Sequence, residues 1–214
     1  MIDLYTWPTP NGRKISILLE ELKIEYKTFP INITKNEQFS EYYLKLSPNN
    51  KIPAIFDHEN NMSLMESGAI MIYLAEKYNK FLPTNYNERY KCLEWLSFQT
   101  GSQGPMLGQA HHFLKFNKGK SEYSEDRYKT EADRLYKVMN KQLSENKYLA
   151  GEEYTIADIA AWPWVARFEW HQVELQKYEF VSKWYTSISS RVAVQKGFDV
   201  PSIGASIPKV QYHT

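Results

Sequence analysis

One cysteine, Cys92, is all the thiol this chain of 214 residues carries. An intrachain disulfide, a CxxC redox pair and a cysteine-based zinc site are therefore excluded. Net charge is missing too: 26 Lys and Arg against 25 Asp and Glu leave a formal charge of +1. That supplies neither the broad basic surface that polyphosphate requires nor an acidic field for cations, so nucleic acid is not an expected partner. Long apolar runs are also absent, and no stretch nears the ~18 residues of a membrane span. The opening Met1-Ile2-Asp3-Leu4-Tyr5 has no basic region leading into an apolar run. A cytoplasmic protein that keeps off membranes is expected.

Core-forming material is plentiful, with 43% hydrophobic and 15% aromatic residues. A fold of this length removes about 70% of the unfolded chain's surface from water, so no disulfide or metal staple is needed. The length exceeds the common domain size of roughly 100 to 150 residues, which favours two modest domains.

Residues 2–7, IDLYTW, form a strand-like run that ends in the turn formers Pro8-Thr9-Pro10-Asn11-Gly12. From Gly12 onward Ile15, Leu18, Leu19 and Leu22 share one face, while Arg13, Lys14, Glu20, Glu21 and Lys23 take the other. This is the pattern of an amphipathic helix, with Asn11 as the expected N-cap. Tyr26 to Ile33 reads as a second strand, which completes a parallel crossover unit of about 30 residues. A short helix near 39–46, an antiparallel pair built from SPNNKIPAIFD and MSLM, and a helix headed by Glu66-Ser67 follow. Residues 1–79 are thus expected to be an α/β domain, with 79–87 as linker. Beyond it every segment is helical by period, at about 87–116, 122–145, 156–170 and 178–190, giving an all-α domain over 88–198. The tail 199–214 is expected to be extended. Thr155 followed by Asp158 has capping-box spacing.

This element order resembles the glutathione transferase fold, a thioredoxin-like N-terminal domain followed by an all-helical one. SPNNKIPA (47–54) resembles the family's loop with a cis Ile-Pro bond, here Ile52-Pro53, where backbone pairs with the cysteinyl amide of glutathione. MESGAI (65–70) resembles its Glu-Ser motif, and TIADIAAWPW (155–164) its capping box. PTPNGRKI (8–15) and QGPMLGQAHHF (103–113) look more narrowly like the bacterial nu class with its disulfide-bond reductases.

The resemblance implies that bound glutathione, one or two per subunit or as its disulfide, supplies the thiol. A helix N-terminus lowers a thiol pKa from about 8.5. Thr9 and Asn11 would present a hydroxyl and an amide or backbone N–H to that sulfur, neither acting as nucleophile. Glu66 would take the γ-glutamyl ammonium, Ser67 its carboxylate, and Lys51 and Gln38 the glycyl carboxylate. Gln103 would be a further glutathione-binding residue, and Arg127 would line the outer site for the second glutathione or the disulfide partner. A homodimer, no metal, and a small disulfide or electrophile as second substrate are implied as well. Two other readings stay open: a glutathione-fold regulatory protein without turnover, like the fungal nitrogen regulator, and a conventional xenobiotic-conjugating transferase.

Elsewhere plain packing is the expectation. Tyr5 precedes the turn and belongs to core or interface, Cys92 is a small buried hydrophobe, and the recurring tryptophans of the second half pack helices. Adjacent His111 and His112 face different directions on a helix and cannot pair on a metal.

Overall fold

Ile2–Thr6, buried throughout, forms the central strand β1 of the computed structural model, which describes residues 1–211. It lies parallel to β2 (Tyr26–Pro30) and antiparallel to β3 (Ala54–Asp57), which pairs antiparallel with β4 (Met62–Met65), giving the order β2-β1-β3-β4. Thr6 stands opposite Pro30, Tyr5 opposite Ala54, and Ala54 opposite Met65. The ends of β1, β2 and β4 and the start of β3 therefore meet at one end of the sheet. Every connection that carries a candidate residue of this unit leaves from that end.

Helix α1 (Pro10–Leu22) departs from two expectations. Its N-cap is Thr9, whose hydroxyl accepts the Gly12 N–H, because Pro10 occupies the first helical position, where its missing N–H and fixed φ cost nothing. Asn11 lies inside the first turn. Arg13 and Lys14 are not on a solvent face either, being 1% and 2% exposed. Helix α3 (Ser67–Lys77) and helix α9 (Val192–Phe198) both pack on α1. Arg13 Nε donates to the Phe198 carbonyl at 2.8 Å with its guanidinium 3.6 Å over the Phe198 ring, while Lys14 reaches α3.

Helix α9 has no counterpart in the expected elements. Its Gly197 lies so close to α1 that a Cβ would meet the Ile17 backbone nitrogen at 2.7 Å, and its carbonyl accepts from Ser16 Oγ at 2.6 Å. Residues 190–207 accordingly belong with 1–82 in one unit, and 83–189 with 208–211 form the other. The contiguous split at 79–87 is replaced by one in which the chain returns to its first unit. The stretch after Asp199 is not simply extended, since that carboxylate accepts from the backbone N–H of Ile203, Gly204 and Ala205 and from Ser202 Oγ. Residues 212–214 of the expected tail lie outside the described residues.

Asp57, buried at the end of β3, shows how the first unit depends on pH. Burial alone would raise its pKa, but bonds from Lys77, Tyr73 and the Glu59 N–H outweigh it and hold the carboxyl at about 2. The folded pKa lies below the unfolded value of about 3.9, so the stabilisation is present above that pH and is lost as pH falls through the folded value. Asp57→Asn is expected to remove about 2 to 3 kcal/mol at neutral pH and to flatten the acid limb of stability below about pH 4. Urea titrations across that range check it, and an unchanged acid limb would refute it.

In the second unit, helix α4 (Tyr86–Phe98), helix α5 (Gly104–Ala110), helix α6 (Glu122–Glu145), helix α7 (Ile156–Val165) and helix α8 (Glu179–Ser189) form an all-helical core. The single helix expected over 87–116 is interrupted by π-helical turns at 99–103 and 111–116. Pro105, at the start of α5, has no N–H to donate to the carbonyl of Gly101 and a ring that crowds it, which suits a widened turn there. Helix α7 is buried at every position and starts with the capping box of Thr155 and Asp158. Cys92, Trp95, Trp162, Trp164 and Trp184 are core residues, as expected. Among the described residues no helix is long and apolar enough to cross a membrane.

Candidate functional site

The head of α1 starts immediately behind β1. Gly12 makes this approach possible, since a Cβ there would lie 2.2 Å from the Trp7 carbonyl oxygen. Thr9 accepts the Gly12 N–H at 3.2 Å, which occupies an oxygen lone pair and leaves its hydroxyl hydrogen to donate. No acidic residue stands in the first turn to neutralise the positive end of a 13-residue helix. An anion placed there meets both a hydroxyl donor and the helix field.

A second helix head lies beside the first. Glu66 precedes α3 with φ of 65°, a conformation that L residues seldom hold except where surrounding structure demands it. Its Oε1 accepts from Asn49 Nδ2 at 3.1 Å. The side chain of Ser67, buried at the first position of α3, accepts from Lys14 Nζ at 3.2 Å, which ties the two heads together. Burial pulls the Lys14 pKa down to about 7, against the raising field of Glu66. Lys14 was not among the residues that sequence pointed to, because it fell on the polar face by periodicity.

Between these heads runs the loop before β3. Ser47 Oγ and Tyr43 Oη both donate to the Lys51 carbonyl, at 2.9 and 2.7 Å, fixing the backbone ahead of a cis Ile52-Pro53 bond. The Lys51 side chain is exposed. Ile52 makes no backbone hydrogen bond among the described residues, so its main chain is open to pairing with a ligand amide. Gln38 lies in the 3₁₀ turn Glu37–Phe39 after β2, with an Oε1 that is buried and unpartnered. Thr9, Asn11, Gln38, Lys51, Ile52, Pro53, Glu66 and Ser67 thus all leave the same end of the sheet. Tyr5 is packed, stacked on Phe29 and hydrogen-bonded to Tyr42, and burial with that bond raises its pKa.

The second unit treats its two candidates differently. Gln103, expected to bind glutathione, is fully buried in the helical core, with Nε2 donating to Met139 Sδ and the Ala161 carbonyl. Its place at the end of the π-helical turn 99–103 carried no sign of that burial, because glutamine is usually a surface residue. Arg127 is exposed on α6 and lines an open cleft of ≈ 420 Å³ with Met106, Tyr123, Asp126, Tyr128, Thr130 and Glu131. A guanidinium flanked by two phenols can receive a carboxylate bidentately. His111 is buried and stacked against His171, with Nε2 atoms 2.8 Å apart, and burial lowers its pKa to about 4. Among the described residues no group of three or more His, Cys, Asp and Glu could hold a metal.

A model of the glutathione S-transferase N-terminal domain matches residues 1–76, and one of the C-terminal domain matches 104–191. The chain belongs to the glutathione transferase family. Its relatives include the disulfide-bond oxidoreductase YfcG of Escherichia coli K12, 47% identical over 198 residues, which are 90% of this chain and 92% of the relative. A glutathione transferase family member from Pseudomonas fluorescens, solved with two glutathione bound, superposes with a TM-score of 0.88 at 38% identity, covering 92% of each chain. One from Pseudomonas putida, with one glutathione disulfide bound per subunit, gives 0.89 at 38% identity over 94% of this chain and 91% of that one. In this glutathione transferase the N-terminal family match spans all four strands and most of α3, the part that carries both helix heads.

Proposed function

We propose that this protein is a glutathione-dependent disulfide reductase of the nu class, a cytoplasmic homodimer that works through the thiols of bound glutathione. The observation that carries the reading is the pairing of two helix heads at one sheet end, each with a hydroxyl whose oxygen already accepts a bond. The first head suits a thiolate. Thr9 Oγ1 and the Asn11 amide would donate to the sulfur, and the helix field would favour its ionised form. The second head suits an α-amino acid, with Ser67 toward the carboxylate and Glu66 toward the ammonium. Lys51 and Gln38 would hold the glycyl carboxylate, and the Ile52 main chain, ahead of Pro53, the cysteinyl amide.

The protein's own thiol plays no part. Cys92 is fully buried, and burial raises its pKa. The reaction then takes two exchanges between small molecules. The ionised glutathione attacks one sulfur of the substrate disulfide, forming a mixed disulfide and expelling the other substrate sulfur as a thiolate. A second glutathione attacks the glutathione sulfur of that mixed disulfide, releasing the remaining substrate thiol and leaving glutathione disulfide. Each exchange breaks one S–S bond and makes one, and the two electrons come from the glutathione pair. The glutathione pair and glutathione disulfide held by the Pseudomonas relatives support this sequence.

Reduction of a small mixed disulfide, coupled to NADPH through glutathione reductase, should be fast, and chlorodinitrobenzene conjugation by the same preparation slow. The reverse order would make the protein a conjugating transferase. Glutathione binding with neither activity would make it a regulatory protein.

A further inference from the structure

Lys14 lies one turn into α1 and is 2% exposed, with its ammonium 3.2 Å from Ser67 Oγ. Taking an ammonium out of water is costly, and an apolar side chain of similar length would fill the same volume without that cost. A cation kept under such conditions beside a ligand site marks a functional position.

Its chemistry shows what the function is. In its ammonium form, which the Glu66 carboxylate favours, Lys14 only donates, so Ser67 then accepts from it and turns its hydroxyl hydrogen to another acceptor. The first turn of α3 contains no acidic residue, so its amide end stays positive. Hydroxyl, helix end and buried cation converge on one point next to the Glu66 carboxylate. This is the charge layout complementary to a free α-amino-acid group.

We infer that Lys14 is a positioning residue that turns Ser67 into a donor toward the ligand and thereby selects ligands ending in a free α-amino-acid carboxylate. The inference rests on reading this end of the sheet as a glutathione site and adds the residue that gives that subsite its selectivity.

The test uses the full chain as wild type, Lys14→Met and Lys14→Gln. Titration calorimetry compares glutathione with the same tripeptide lacking the γ-glutamyl α-carboxylate, 4-aminobutyryl-cysteinyl-glycine. Lys14→Met should lose about tenfold in affinity for glutathione, the scale of one charge-assisted hydrogen bond, and less than about twofold for the analogue. Its kcat at saturating glutathione should stay within about twofold of wild type, since the loss is in binding rather than at the sulfur. Lys14→Gln, which keeps a donor to Ser67 without the charge, should fall between. A merely structural lysine would weaken both ligands alike, and that result, or no loss at all, overturns the inference. If Lys14→Met does not fold, the Lys14→Gln comparison decides on the same criterion. A wild type that binds neither ligand overturns the glutathione reading itself.

Discussion

Asp158→Ala is expected to destabilise the protein by about 3 to 5 kcal/mol, the range for removing one member of a buried, fully bonded polar cluster. The carboxylate is 0% exposed and accepts four bonds. Leu149 N and Trp184 Nε1 donate to Oδ1, both at 2.9 Å, while Thr155 N and Oγ1 donate to Oδ2 at 3.1 and 3.2 Å. One side chain thus caps α7, closes the loop before it and holds a tryptophan of α8. Burial raises its pKa and those four donors oppose the rise. Alanine would orphan all four donors in the buried interior of the unit. Asp158→Asn keeps one oxygen for Leu149 and Trp184 but turns an NH₂ toward the Thr155 N–H, so an intermediate loss is expected. Chemical denaturation of the three proteins gives the comparison, and a loss below about 1 kcal/mol for alanine would show that the cluster is not a keystone of the helical unit.

This capping box was legible because both partners lie three residues apart, and the same holds for what is local in the first unit. The run IDLYTW, the apolar stripe of α1 and the antiparallel pair around Asn60 each express a period within one segment. What the chain concealed was long-range. Arg13 and Lys14 read as solvent-facing by period, yet their partners Phe198 and Ser67 are 185 and 53 residues away. Helix α9 is short, and its Gly197 argues against a helix by propensity. It exists because that glycine fits against Ile17, a fact of packing alone. Asn11 was expected as the cap because asparagine favours that position. The competing signal, Pro10 at the first helical residue with Thr9 before it, was present and stronger. Gln103 shows the opposite failure, a residue type that prefers water but is held in the core by Met139 and the Ala161 carbonyl.

The capping exchange between Thr9 and Asn11 makes the chemistry of the first helix head separable from its stability. Asn11→Ala should lower kcat for mixed-disulfide reduction on the order of 100-fold, the scale of losing one preorganised donor to a developing or resident anion. Affinity for glutathione should change far less, because in the proposed reading Glu66, Ser67, Lys51 and the Ile52 backbone would hold the remainder of the tripeptide. Folding should be nearly untouched, since Asn11 lies within the first turn of α1 and Thr9 supplies the cap. Thr9→Ala differs in kind. It removes the acceptor of the Gly12 N–H together with the proposed donor to sulfur, so it should lower kcat and also cost about 1 kcal/mol of stability. Thr9→Ser keeps both functions and should recover both. Ultraviolet absorbance of the bound thiolate, followed against pH, provides the direct readout. The glutathione thiol pKa should rise in both alanine variants, because each loses a donor that favours the ionised form. If Asn11→Ala leaves kcat and the thiolate titration unchanged, the sulfur is held elsewhere and the α1 head is only a well-capped helix.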